Sequence, residues 1–250
     1  MTGIRLVASS LLSLTLLTAL TACSDDPASR VIGSGDAAAD KGRDAKSSDE
    51  PDATADLEVA SGFTSEVDSI GTRYSLAGAK ITNPNRSAAA YDVQVLFNLV
   101  SKSGDVLDTQ TESVPYVAPG ASVPVAPLQI GFDLKQKPTD LRVQVVGDFA
   151  DDEGPRGPLG GKAAILRVKT ARLQPGDFGS ELTAQVSNPT KVVAEFASWA
   201  CIYMRGDRIV GGSSSAIVDP IPPGATVEFG ELLPIGLEAS NVACQVMTDL

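Results

Sequence analysis

The sequence predicts an all-β chain, two tandem antiparallel β-sandwiches behind an N-terminal signal peptide and a disordered tether. Three observations predict it. Apolar residues recur at every second position, as in Val93, Val95, Phe97 and Leu99 and again in Leu141, Val143 and Val145, the period of a strand with one buried face. The aromatic fraction is only 5% against 43% hydrophobic residues, so the cores rest on Val, Ile, Leu and Ala, types that favour strands over large helical domains. One order of turn signals also appears twice along the chain.

The elements follow in order. Met1 to Arg5 carries one basic side chain, and Leu6 to Leu20 is apolar and uncharged, diluted by Ser and Thr. A short positive region, an apolar core and small residues make a signal peptide over 1–22. Leu20-Thr21-Ala22-Cys23 resembles the lipobox of bacterial lipoproteins. The resemblance implies cleavage before Cys23 and a diacylglyceryl thioether on its sulfur, usually with an acylated amine. Two or three acyl chains anchor stably where one is marginal, so membrane lipid is the first expected partner. The expected location is lipid-anchored, on the extracytoplasmic face of a cell membrane.

Residues 23–56 form the tether. Gly33 to Asp56 contains no Leu, Ile, Val, Met or aromatic residue and cannot bury enough surface to offset the entropy of ordering. As a flexible coil it reaches roughly 30 Å.

The repeat occupies 57–149 and 162–250, with 150–161 as the joint. In the first copy Ala79 to Pro84 leads to Val93–Leu99, then Gly104-Asp105, Pro119-Gly120 and Leu141–Val145. In the second, Ala184 to Pro189 leads to Trp199–Tyr203, then Gly206-Asp207, Pro223-Gly224 and Val242–Val246. Each mark has a physical role. Asn-Pro ends a strand, because Pro lacks the ladder donor and Asn bonds locally. Gly-Asp between alternating runs reads as a hairpin turn, and Pro-Gly fits the centre of a type II turn, where Gly supplies the positive φ. Many short strands with regular turns point to immunoglobulin-like sandwiches. Phe97-Asn98-Leu99-Val100-Ser101, with Ile81-Thr82-Asn83 before it and Pro119-Gly120 after, is similar to the core of FxLYD-type domains, small sandwiches of bacterial extracytoplasmic proteins. Val100 and Ser101 depart from that pattern, and the second copy departs further, with Trp199 and Cys201 at the Phe and Leu places. The resemblance implies a fold, no enzymatic activity and no shared ligand.

With Cys23 lipidated, Cys201 and Cys244 remain, an even count in an oxidising compartment. The repeat alignment sets Cys201 on Leu99 and Cys244 on Val143, inward places on strands. A disulfide facing across the core of the second unit is expected, with Trp199 packed near it.

Composition limits the function. No histidine occurs in the chain, which removes Ser-His-Asp and Cys-His activation and His-ligated metal or haem sites. The net charge of −11 argues against nucleic acid, whose phosphates need clustered Lys and Arg. No cofactor and no catalytic residue is expected. Asp148, Asp151, Asp152 and Glu153 at the joint are the candidate calcium ligands, set against their reading as a solvated acidic linker. Arg205-Gly206-Asp207 spells an adhesion tripeptide, but the Gly104-Asp105 turn of the first copy accounts for its Gly-Asp without adhesion. The expectation is a non-enzymatic binding or spacer module, presenting loops or sheet faces to an envelope protein or polymer. Alternative readings are a structural accessory of an envelope assembly and a carboxylate-dependent hydrolase, whose mark would be two close carboxylates of perturbed pKa in a cleft.

Overall fold

The computed structural model describes residues 55–67, 72–128, 130–132, 134–155, 166–176, 179–233 and 237–248. The signal peptide, Cys23, nearly all of the tether and residues 156–161 of the joint lie outside the described residues. Within them the chain is all-β, with no helix. Its strands are β1 (Glu58–Val67), β2 (Arg73–Thr82), β3 (Ala88–Val100), β4 (Val106–Val117), β5 (Ser122–Val125) and β6 (Asp140–Asp151), followed by β7 (Arg167–Gly176), β8 (Gly179–Ser187), β9 (Ala197–Arg205), β10 (Arg208–Ile217), β11 (Thr226–Leu232) and β12 (Asn241–Thr248). The strand β6 continues to Asp151, past the boundary at 149 that the sequence marks.

These strands form four three-stranded sheets, ordered β1-β2-β5, β4-β3-β6, β11-β8-β7 and β10-β9-β12, with every pairing antiparallel. The second six strands repeat the neighbours of the first six. Each half encloses a core between its two sheets. In the first, Ala77, Ala79 and Ile81 of β2 meet Val93, Val95, Phe97 and Leu99 of β3, all fully buried. In the second, Leu182 of β8 packs with Trp199, Cys201 and Tyr203 of β9.

The turn signals are observed as read. Gly104, Gly120, Gly206 and Gly224 all have positive φ, at 92°, 67°, 59° and 75°. Ala121 N donates to Ala118 O at 3.1 Å and Ala225 N to Pro222 O at 3.1 Å, closing β-turns around each Pro-Gly. The two Asn-Pro marks carry more than a strand end. Asn83 and Asn188 are fully buried. Asn83 Nδ2 donates to Ala88 O (2.8 Å) and Val117 O (3.2 Å), and its Oδ1 accepts from Asn85 N at 3.1 Å. Asn188 Nδ2 donates to Val192 O (2.7 Å) and Ile221 O (2.8 Å), and its Oδ1 accepts from Thr190 N at 3.1 Å. One amide thus satisfies three backbone groups at the same corner of each copy, a task that needs a side chain with both donors and acceptors.

Candidate functional site

The two copies meet through strands rather than through the joint alone. The first sheet is covered on both faces, because Ala77 and Ala79 face the first core while Leu76 packs against the second. The strand β10 runs across this sheet, meeting β1 at Ile209, β2 at Gly211 and Gly212, and the segment after β5 at Gly212. A strand that passes each neighbour in turn crosses the sheet steeply, as in orthogonal packing. Glycines make the approach possible. A Cβ on Gly62 would overlap the Ile209 carbonyl, one on Gly78 would lie 2.6 Å from Gly211 O, and one on Gly212 2.8 Å from Ala126 Cβ. Thr64 Oγ1 donates across the seam to Val210 O at 2.6 Å.

Past the last glycine the two halves part and leave a cavity of about 170 Å³. Val125, Ala126 and Leu128 line it from the first half, and Trp199, Ser215 and Met247 from the second, with Glu112 of β4 at its wall. Burial pushes the Glu112 carboxyl above its usual 4.5, opposed by the hydrogen bond that Leu128 N donates at 3.3 Å. The indole of Trp199 stacks on Phe229 at 4.8 Å and 17°. The arrangement can seat a small apolar group and present it with one carboxyl oxygen.

A second polar group lies inside the second half. Ser213 Oγ donates to Glu231 Oε2 at 2.6 Å, which uses its one proton, so the Tyr203 hydroxyl donates to Ser213. The chain Tyr203–Ser213–Glu231 ties β9 and β10 to β11 of the facing sheet. Burial raises both the Tyr203 phenol and the Glu231 carboxyl above their usual values. Ser213 is only 4% exposed, so the trio is a closed stitch, with no open face for a substrate at the serine. The sequence reading missed it, since Gly211-Gly212-Ser213-Ser214-Ser215 carries no apolar alternation to mark it as a strand.

The residues singled out in the sequence fall as follows. Cys23 lies outside the described residues. Cys201 and Cys244 form a disulfide, in the same core cluster as Trp199. Its placement corrects the expectation that it spans the core: the two cysteines are direct partners on β9 and β12, within one sheet. The alignment behind that expectation is slipped by two residues. The ladder pairs Leu99 with Leu141 and Phe97 with Val143, so the places of Leu99 and Val143 are not opposite each other.

Among the described residues no three carboxylate, His or Cys side chains gather as a metal-holding group. Asp148 and Asp151 are exposed on β6. Asp152 Oδ1 accepts from the Tyr116 hydroxyl at 2.7 Å and from Gly154 N at 2.9 Å, and Glu153 N donates to the Tyr91 hydroxyl at 3.0 Å. Two tyrosines, 5.5 Å apart at their ring centres, therefore hold the start of the joint against the first half. Arg205 is engaged too: its guanidinium contacts Glu238 Oε2 at 2.5 Å and donates to Glu238 O at 3.0 Å, while Gly206 serves the β9–β10 turn with positive φ.

No family model matches the chain, and no curated protein matches it. Among solved structures, the crystal structure of red sea bream transglutaminase is similar at 14% identity, over 77% of this chain and 29% of that chain, with a TM-score of 0.23. The chain thus spans less than a third of that protein's length.

Proposed function

We propose that this chain is a lipoprotein of the cell envelope, held by lipid on Cys23 at the extracytoplasmic face, whose two FxLYD-like, immunoglobulin-like sandwiches act together as a non-enzymatic binding and spacer module. The observation that carries the reading is the glycine seam. It joins the two copies backbone to backbone along β10, so they work as one stiff body where a linker alone would let them swing. A stiff body on a tether with a reach of roughly 30 Å presents its loops at a controlled distance from the bilayer. Ala55 is tied to that body: its N–H donates to Asn85 Oδ1 and its carbonyl accepts from Asn85 Nδ2, each at 2.8 Å. The Cys201–Cys244 bridge supports the extracytoplasmic setting, since disulfides persist in oxidising compartments. The burial of Phe97 and Leu99 at 0% exposure supports the FxLYD likeness, because those two places supply that motif's core. The partner is an envelope protein or polymer.

The test has two parts. Mass spectrometry of the membrane fraction is expected to find Cys23 as a lipidated N-terminus, and Cys23→Ala to release the chain from the membrane. Recovery of an unmodified, full-length polypeptide from the soluble fraction overturns the anchor. Crosslinking in intact cells is then expected to capture an envelope component with the anchored chain and with a variant whose seam is intact, but not with one whose seam is broken.

A further inference from the structure

Among the described residues, three buried side-chain polar atoms have no hydrogen-bond partner: Ser65 Oγ, Ser75 Oγ and Arg73 Nε. All three fall in one neighbourhood. Ser65 and Ser75 stand directly opposite each other on the β1–β2 ladder, and Arg73 is two residues before Ser75 on the same face of β2. That face is the interior one, shared with Ala77, Ala79 and Ile81 of the first core. The two serines are 7% and 5% exposed. The segment after β5 closes over them: Ser75 bridges Ile130, and a Cβ on Gly131, whose φ is 66°, would lie 2.7 Å from Ser75 Oγ and 2.5 Å from Leu99 Cδ1. The chain packs directly on Ser75 there, at a residue whose missing side chain lets it come so close.

A buried polar group without a partner costs about 1–3 kcal/mol, and more when it is charged. Native folds leave few such groups and rarely gather them without a guest. The chemistry of the guest follows from the three atoms. A guanidinium N–H only donates and is permanently charged, and both serine hydroxyls can donate beside it. What satisfies all three together is a group with several lone pairs and a negative charge. One water molecule accepts from two donors at most and cannot serve all three. Arg73 makes no ion pair among the described residues, where the cations so paired are Arg142 with Asp140 and Arg205 with Glu238. We propose that Arg73, Ser65 and Ser75 form a binding site for a small oxyanion, at the end of the first core beside Leu99 and Gly131. The shared chemistry is that of a carboxylate or of a phosphate or sulfate oxygen face, met by a charge-assisted bond from Arg73 and two hydroxyl donors.

The site is tested on the full chain in detergent, labelled with nitrogen-15 and titrated at constant ionic strength with inorganic phosphate, sulfate and acetate in turn, sodium chloride serving as control. The expected result is a saturable shift of the Arg73 Nε–H resonance with at least one of the three and a rise in Tm with the same anion. Phosphate or sulfate acting alone assigns a tetrahedral guest, and acetate acting alone a carboxylate. Ser75→Ala, which adds no volume, keeps the reporter and is expected to weaken the midpoint about tenfold, the size of one hydrogen bond to a charged partner. Arg73→Gln is expected to abolish the Tm effect. A resonance that moves no more with the three anions than with chloride overturns the proposal, as does an equal Tm rise in both variants. So does a high-resolution crystal grown in phosphate with only water between Arg73 and the serines.

Discussion

Gly78 of β2 faces Gly211 of β10 across the seam between the two copies, so closely that a Cβ on Gly78 would stand 2.6 Å from the Gly211 carbonyl oxygen and 2.9 Å from Ile202 Cγ2. Backbone meets backbone there, and a carbonyl cannot swing aside as a side chain can. Glycine in a strand interior weakens the strand, so its use at Gly62, Gly78, Gly211 and Gly212 trades sheet propensity for contact between the halves.

Gly78→Val is therefore expected to destabilise the chain by about 2–4 kcal/mol, as other overpacked or displaced interfaces do. Urea unfolding gives the stability, and small-angle scattering is expected to show the variant more extended, as the halves part. Gly104→Ala is the control: a Cβ there meets nothing within 4 Å, so only the strain of its φ of 92° is felt, and the scattering curve stays as in the parent. Equal scattering from Gly78→Val and the parent would exclude the seam as the joining element.

The buried asparagines make a sharper chemical test. Asn83→Asp keeps the shape of the side chain but replaces the two N–H donors to Ala88 O and Val117 O with an oxygen that repels both carbonyls. Asn83→Asp is expected to cost about 2–4 kcal/mol, no less than Asn83→Ala, because the orphaned carbonyls stay buried in either case. Asn188→Asp is expected to do the same through Val192 O and Ile221 O. Thermal unfolding at pH 7 measures both. A near-neutral Asn83→Asp would mean that the amide donors are not in use.

How much of this could be read from the sequence depends on which signals survive a two-residue error. Strand period and turn chemistry are local, so Val93 to Leu99 and the glycines of Gly-Asp and Pro-Gly were legible. The cysteine pair was legible as a pair, because a slip of two residues keeps each side chain on its face. Whether the partner strand is the in-sheet neighbour or lies across the core is a register question, and Leu99 with Leu141 answers it only once the ladder is known. The seam was not legible, because Gly211 and Gly212 are marked in a sequence as breaks in a strand. The glycine reading inverts only when a second backbone is placed against them. Ser65, Arg73 and Ser75 were invisible for a related reason: their common feature is a missing partner, which no spacing encodes.

The Cys201–Cys244 bridge closes a loop with a sequence separation of 43, for which the chain-entropy model gives about 4 kcal/mol. The denatured, unreduced protein is expected to hold no thiol from these two residues, and dithiothreitol to lower the urea midpoint and steepen the slope, as the unlinked unfolded chain exposes more surface. Cys201→Ala with Cys244→Ala is expected to unfold at the same reduced midpoint, apart from the small volume lost at the fully buried Cys201. A reagent-accessible count of two thiols before reduction excludes the bridge.

The pH dependence of stability follows from two carboxyls that burial raises, Glu112 at the cavity and Glu231 in the Tyr203–Ser213 chain. Each holds its proton more tightly folded than unfolded, so between the usual value of 4.5 and the raised one the native state binds more protons. Stability therefore falls as pH rises through that window, and the loss is complete once both carboxyls are ionised in the folded chain. Below 4.5 both are protonated in either state, so the slope vanishes and the stability these groups lend is fully present. Glu112→Gln, which keeps an oxygen for Leu128 N, is expected to flatten part of the fall between pH 4.5 and 7 and to raise the neutral-pH midpoint slightly. Glu231→Gln is expected to flatten another part, since Gln still accepts from Ser213. Both effects are modest, because each carboxyl keeps some contact with solvent. Urea midpoints at half-unit pH steps give the slopes, and a parent whose stability rises steadily from pH 4.5 to 7 while Glu112→Gln follows the same curve would show that other carboxyls set the dependence.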